Sequence, residues 1–178
     1  MSEDGQSNRQ YKLRQGTIED AAAVALVHHR ARQEGYGSFV NAQLLNAISL
    51  AEREADWRRQ LNEAFGLGRN ICVAEAGETV IGFAVIGPDN ARKADPTTAL
   101  LDRIYVEPAH WGAGIGRMLA KECISWAKSH HYSQIKVWTF EANQRARRFY
   151  ESLGFTSDGT TRTVDEFPPD VLYRLSLA

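Results

Sequence analysis

The stretch Leu101-Asp102-Arg103-Ile104-Tyr105-Val106-Glu107-Pro108-Ala109-His110-Trp111-Gly112-Ala113-Gly114-Ile115-Gly116-Arg117 decides how this chain folds. Its first part is rich in branched and aromatic residues and reads as a β-strand, ended by a proline that cannot donate to a sheet ladder. Three glycines at alternate positions follow, just where an apolar helical period begins. Glycine removes the Cβ atoms that block close backbone approach. The amides of Gly112, Ala113, Gly114, Ile115, Gly116 and Arg117 can then converge at a helix N-terminus, whose partial positive charge favours an anion. Arg117 and Lys121, at i and i+4, add charge on the helix's polar side. The pattern describes a phosphate cradle; the plainer reading is a tight turn that needs glycine only for packing. It is neither Gly-x-Gly-x-x-Gly with an acidic ribose partner nor a P-loop ending in Gly-Lys-Ser/Thr.

Working outward, the helix from Gly114 carries Ile115, Met118, Leu119, Cys123, Trp126 and Ala127 on one face. A strand is expected over Gln134 to Phe140. A helix follows over Asn143 to Leu153, with Ala142, Ala146, Phe149, Tyr150 and Leu153 turned inward and Gly154 as a left-handed cap. Leu172 to Leu177 alternates as a last strand, with room for a small strand after Phe155. Upstream, Tyr11 to Arg14 reads as a first strand. Thr17 with Asp20, and Ser49 with Glu52, have the spacing of capping boxes that open two helices. The first should stop near Gln33, before Gly35-Tyr36-Gly37. Trp57, Leu61, Ala64 and Phe65 form the second helix's apolar face. Ile71 to Ala76 and Thr79 to Ile86 flank Gly77-Glu78 as a hairpin. Pro88 to Thr98 is expected to be an exposed loop. The order predicts an α/β fold with helices around a mixed sheet.

Composition sets outer bounds. The 178 residues suggest one domain over 11–178, with polar residues 1–10 as a disordered lead-in rather than a signal or anchor. A net charge of −1 recruits neither nucleic acid nor an anionic membrane. No apolar run approaches the roughly 20 residues of a spanning helix. Cys72 and Cys123 allow one disulfide, but buried free thiols in a reducing cytoplasm fit better. His28-His29, His110 and His130-His131 lack metal-ligand spacing and read as surface or helix-end residues, so no metal is expected.

Together, the two halves resemble the GNAT (GCN5-related N-acetyltransferase) superfamily. The match runs through Trp111-Gly112-Ala113-Gly114-Ile115-Gly116 and, in register, through Asn143, Ala146, Phe149, Tyr150, Gly154 and Phe155. The resemblance implies a mixed sheet of about six to seven strands flanked by about four helices. It also implies acetyl-CoA as co-substrate and direct transfer to an amine. Backbone at Ile104, Tyr105 and Val106 would then bind the acetyl and pantetheine part, where two parallel strands splay. Amides from Gly112 to Arg117 would hold the pyrophosphate, the Asn143 side chain the pantetheine arm, and Tyr150 would protonate the departing thiolate.

Two positions depart from the family pattern. Trp111 stands where relatives carry glutamine or arginine, and Leu100 where many carry a glutamate base. Asp102, two residues on, is a candidate base acting through water; an ordinary ion pair with Arg103 is the competing role. These departures keep a non-catalytic acyl-CoA-binding module in play. A nucleotide-binding α/β protein is the more remote alternative. Arg145, Arg147 and Arg148 read as a solvated face or, alternatively, as contacts to the adenosine 3′-phosphate. The segments Gly35 to Phe39 and Asn41 to Ile48, and the arm Thr160 to Asp170 with its acids Asp165 and Glu166, sit where relatives shape the acceptor site. A small-molecule amine is the favoured acceptor, and the resemblance also allows a homodimer.

Overall fold

Seven strands form one sheet in the order β1-β2-β3-β4-β5-β7-β6, in a computed structural model that describes residues 11–91 and 95–177. They are β1 (Tyr11–Gln15), β2 (Asn70–Ala76), β3 (Thr79–Pro88), β4 (Thr98–Val106), β5 (Gln134–Phe140), β6 (Thr161–Arg162) and β7 (Asp170–Ser176). The helices are α1 (Ala21–Tyr36), the single turn α2 (Ala42–Leu45), α3 (Leu50–Glu63), α4 (Ile115–Ser129) and α5 (Gln144–Glu151). This is the mixed α/β fold expected, with the expected small strand after Phe155. The proposed lead-in, residues 1–10, and part of the loop after Pro88 lie outside the described residues.

Helices on both faces explain why β2 and β3 are apolar runs rather than alternating ones. Cys72, Ala74, Ala84 and Ile86 face α4, packing with Ile115, Leu119 and Cys123. Their neighbours Ile71, Val73, Phe83 and Val85 face the other way, onto Val24 and Ala25 of α1 and Trp57 and Leu61 of α3. Each face thus has its own core, about one sheet thickness apart.

Helix ends follow local chemistry, with three corrections. The Ser49–Glu52 box forms: the Ser49 amide donates to the Glu52 carboxylate at 2.9 Å, and the Glu52 amide donates to Ser49 Oγ at 3.2 Å. However, α1 runs past Gly35 to Tyr36, because the Tyr36 ring is anchored between Phe39 and Phe140, at centroid distances of 5.7 and 5.0 Å. Phe65 is 96% exposed, since α3 ends at Glu63 and the following turn swings the side chain out of register. Ala142 is exposed too, lying before the Asn143 cap of α5.

Two irregularities position the site. The first is in the β3–β4 pairing, where Val85 faces Arg103 and Ile86 faces Leu101, so Asp102 is an extra, unpaired residue. Such a bulge resets the alternation. Ile104 and Val106 end up with the α4-side core, and Tyr105 with the α1/α3 side. The second is the only parallel pairing among the described residues, β4 with β5, which stops after Thr98↔Gln134, Ala99↔Ile135 and Leu100↔Lys136. Beyond that point the two strands part.

At the sheet edge, Arg14 forks onto Asp20 at 2.7 and 2.8 Å and also reaches Glu75 at 2.7 Å. The guanidinium hydrogen bonds hold the Asp20 carboxyl below its ordinary value of 3.8. A depressed carboxylate contributes stability above its unfolded pKa and loses it as pH falls through the folded one. Asp20→Asn should therefore lower unfolding free energy by about 2 kcal/mol at neutral pH. In urea titrations across pH, that gap should close below roughly pH 4; a pH-independent gap would contradict the assignment.

Candidate active site

A cleft of about 590 Å³ occupies the space between the parted ends of β4 and β5. One wall is Asp102 to Val106 of β4 and the other is Trp138, Thr139 and Phe140 of β5. Since the ladder between them ends at Leu100, the facing backbone edges have no strand partner further on. An unpaired edge of this kind can take an extended ligand as if it were another strand.

At one end lies the glycine turn. Gly112 and Gly114 have φ of +84° and +83°, left-handed values that suit glycine, and a Cβ on either would point into open space. The first helical bond of α4 runs from the Met118 amide to the Gly114 carbonyl at 3.0 Å. Among the described residues, the amides of Gly112, Gly114, Ile115, Gly116 and Arg117 make no backbone hydrogen bond. Five donors at the positive end of a 15-residue helix form an anion site. Ala113 is the one expected cradle residue outside the cleft lining; its amide turns to the His110 carbonyl at 3.4 Å. Arg117 reaches across to the end of α5, donating to Ser152 Oγ at 2.9 Å.

Trp111 shows what replaces the family's glutamine or arginine. Its Nε1 donates to the Val106 carbonyl at 2.7 Å, folding the indole back onto the strand end. Arg145 stacks on that ring at 3.7 Å and lines the cleft, and burial lowers its pKa. Arg145 thus keeps an exposed position but stands at the rim of the cleft, whereas Arg147 is tied to the Tyr173 hydroxyl at 3.1 Å and to the Glu141 carbonyl at 3.2 Å.

Tyr150 comes from α5 into the cleft on the α4 side of the sheet. The residue is 5% exposed, packed against Phe149 and Phe155, and burial pushes its phenol pKa well up. Among the described residues its hydroxyl has no hydrogen-bond partner, and the side chain lines the cleft. Asn143 caps α5 by accepting from the Ala146 amide at 3.1 Å, which leaves its amide nitrogen to the cleft. Asp102 also lines the cleft, with a carboxylate oxygen 3.8 Å from Arg103 Nε, too far for a hydrogen bond. Leu100 is not part of the lining.

Of the segment Gly35 to Phe39, expected near the acceptor, Gly35 and Tyr36 line the cleft; sequence reasoning missed Arg32 one turn earlier in α1. Arg32 and Tyr36 line the cleft, and the Tyr36 hydroxyl meets that of Tyr105 at 2.9 Å. Their i, i+4 spacing on one helix was the available signal. His28 is buried rather than at the surface. Its Nδ1 accepts from Trp57 Nε1 at 3.1 Å, and burial beside three arginines lowers its pKa to about 2, so it stays neutral. Phe167 of the β6–β7 arm stacks over Phe140 at 6.2 Å, while Asp165 and Glu166 are exposed and line no part of the cleft.

Known proteins share both sequence and fold. The chain is 29% identical over 162 residues, 88% of each chain, to a protein of Mycobacterium tuberculosis named as a Probable N-acetyltransferase. It is 30% identical over 120 residues to the mycothiol acetyltransferase of Thermobispora bispora, covering 67% of this chain and 38% of that one. Among solved structures, the PaiA N-acetyltransferase of Thermoplasma acidophilum, in complex with coenzyme A, superposes with a TM-score of 0.79 at 19% identity, over 94% of this chain and 99% of that one. YncA from Salmonella typhimurium, solved with its cofactor acetyl-CoA, gives 0.71 at 22% identity over 94% of both. The family model for the Acetyltransferase (GNAT) family matches residues 39–155, a span that takes in the glycine turn, the parted strands and α5. The chain belongs to the GNAT acetyltransferase family.

Proposed function

We propose that the protein transfers the acetyl group of acetyl-CoA to a primary amine by direct attack within a ternary complex. The observation that carries this is the co-location, in one cleft, of an unpaired strand edge, free amides at a helix N-terminus and a buried phenol without a partner. Relatives solved with coenzyme A and acetyl-CoA share the fold that builds this cleft.

In this reading the amides of Gly112 and of Gly114 to Arg117 hold the pyrophosphate, with Ala113 shaping the turn. Backbone groups of Ile104, Tyr105 and Val106 bind the pantetheine arm as a strand would, and Asn143 adds a side-chain donor. The amine nitrogen attacks the thioester carbon, and the resulting oxyanion is stabilised by a backbone amide near Val106. As the carbon–sulfur bond breaks, Tyr150 gives its proton to the leaving thiolate. A raised phenol pKa keeps Tyr150 protonated for that step at neutral pH. Asp102 accepts the proton lost by the amine, through water. The favoured acceptor is a small-molecule amine. Cys72 and Cys123, buried in the same core cluster as free thiols, fit a reducing cytoplasm. No helix among the described residues is long and apolar enough to cross a membrane.

Steady-state kinetics with thiol detection test the roles. Tyr150→Phe should lower kcat by about 10²-fold or more while leaving acetyl-CoA affinity near wild type; an unchanged kcat removes Tyr150 as the acid. Gly114→Val forces a branched residue into left-handed backbone at φ +83°, which costs about 1–3 kcal/mol locally. It should abolish acetyl-CoA binding in calorimetry while circular dichroism stays native-like, and retained affinity would remove the cradle assignment.

A further inference from the structure

On the α1/α3 side of the sheet, opposite the glycine turn and Tyr150, three arginines gather around neutral His28. Arg53 of α3 is 7% exposed. Its Nε is buried without a hydrogen-bond partner, and its contact to His28 Nδ1, at 3.4 Å, is long and shared with Trp57. Arg32 of α1 also has a buried, unpartnered Nε. Its guanidinium lies 5.4 Å over the Tyr36 ring and 5.8 Å from Phe167, with no ion pair among the described residues. Arg103 of β4 donates to Gln60 at 2.8 Å and rests on the Trp57 ring at 5.0 Å. Two acids lie near the group: Asp102, 3.8 Å from Arg103 Nε, and Asp56 of α3, whose charge acts on Arg53 while its carboxylate bonds Arg59 and Gln60.

Arginine is handled differently elsewhere in the molecule, where Arg14 has two carboxylates at hydrogen-bond distance. Gathering three partly desolvated cations with no carboxylate at hydrogen-bond distance is unfavourable, and removing the counter-charge from a buried group is among the costlier changes a fold can carry. The missing partner is therefore an anion from outside. Arg32 and Arg103 both line the cleft, so it would arrive there. It is not the cofactor's pyrophosphate, which the proposed function assigns to the turn at the head of α4. A planar guanidinium facing a cleft without an ion-pair partner at hydrogen-bond distance fits a carboxylate in bidentate fashion.

We propose that the acceptor is an amine that also carries a carboxylate, held by Arg32 and Arg103 with Arg53 behind them, while Asp102 faces the amino group. This rests on the acetyl-transfer reading, and it narrows the acceptor to amino-acid-like zwitterions and away from polyamines and neutral amino sugars.

The test uses the full chain with acetyl-CoA and matched acceptors: α-amino acids, their amides, and the decarboxylated amines of the same side chains. The acids should exceed both analogues in kcat/KM by about tenfold or more, as expected for a charge-assisted hydrogen-bonded pair. Arg32→Gln should bring that ratio close to one through KM, with acetyl-CoA affinity unchanged. Equal or better turnover of amides or polyamines overturns the proposal and leaves acetyl transfer standing. If no amine reacts, calorimetry of the CoA complex with an N-acetyl amino acid and with its amide decides directly. Binding of the acid alone supports the anion site; binding of neither or both overturns it.

Discussion

Everything functional in this molecule depends on the parting of β4 from β5. Three residue pairs hold the two strands parallel, and past Leu100 and Lys136 they diverge. A sheet that stayed paired would satisfy its backbone and leave no cleft. Opening it exposes donors and acceptors that a folded protein normally pairs. The surroundings keep it open. Aromatic side chains of Tyr36, Phe140 and Phe167 pack across one side, and Tyr150, Phe149 and Phe155 fill the other. The bulge at Asp102 bends β4 at the point where the divergence begins.

Because the sheet is covered on both faces, the split is a passage between two different environments. On the α4/α5 face are free helix-terminal amides and a buried phenol, suited to phosphate and to a departing thiolate. On the α1/α3 face are arginines short of counter-charge, a neutral imidazole and one nearby carboxylate. In the proposed function, two reactants entering from opposite faces would meet at β4, so that transfer needs no covalent enzyme intermediate.

How much of this was legible in the sequence depended on how local each signal is. The glycine turn, the Ser49–Glu52 box, the Gly77 hairpin and the Gly154 cap rest on neighbouring residues, and all form as expected. Tyr150 and Asn143, singled out by two motifs in register, line the same cleft as β4. Less legible were features set by distant contacts. Nothing within α1 indicates that Tyr36 extends the helix by packing on Phe140, about a hundred positions away. Phe65 fits a helical period, but α3 ends at Glu63, two residues before it. Indole and guanidinium stacking of Trp111 with Arg145 pairs residues from separate motifs. Hidden most completely was the arginine cluster, since Arg32, Arg53 and Arg103 come from three elements and each looks like ordinary surface charge in the sequence. Asp102 was recognised as a candidate, although by simple alternation rather than by the bulge that sets it apart.

The central claim is that the cleft is built for acetyl-CoA, and calorimetric titration of the purified protein tests it most directly, with ATP and NAD as controls. The account predicts saturable binding of acetyl-CoA at about micromolar concentration, corresponding to roughly −8 kcal/mol, and none of the controls. Absence of acetyl-CoA binding, or equal binding of all three, would contradict it and reduce the glycine turn to a packing device.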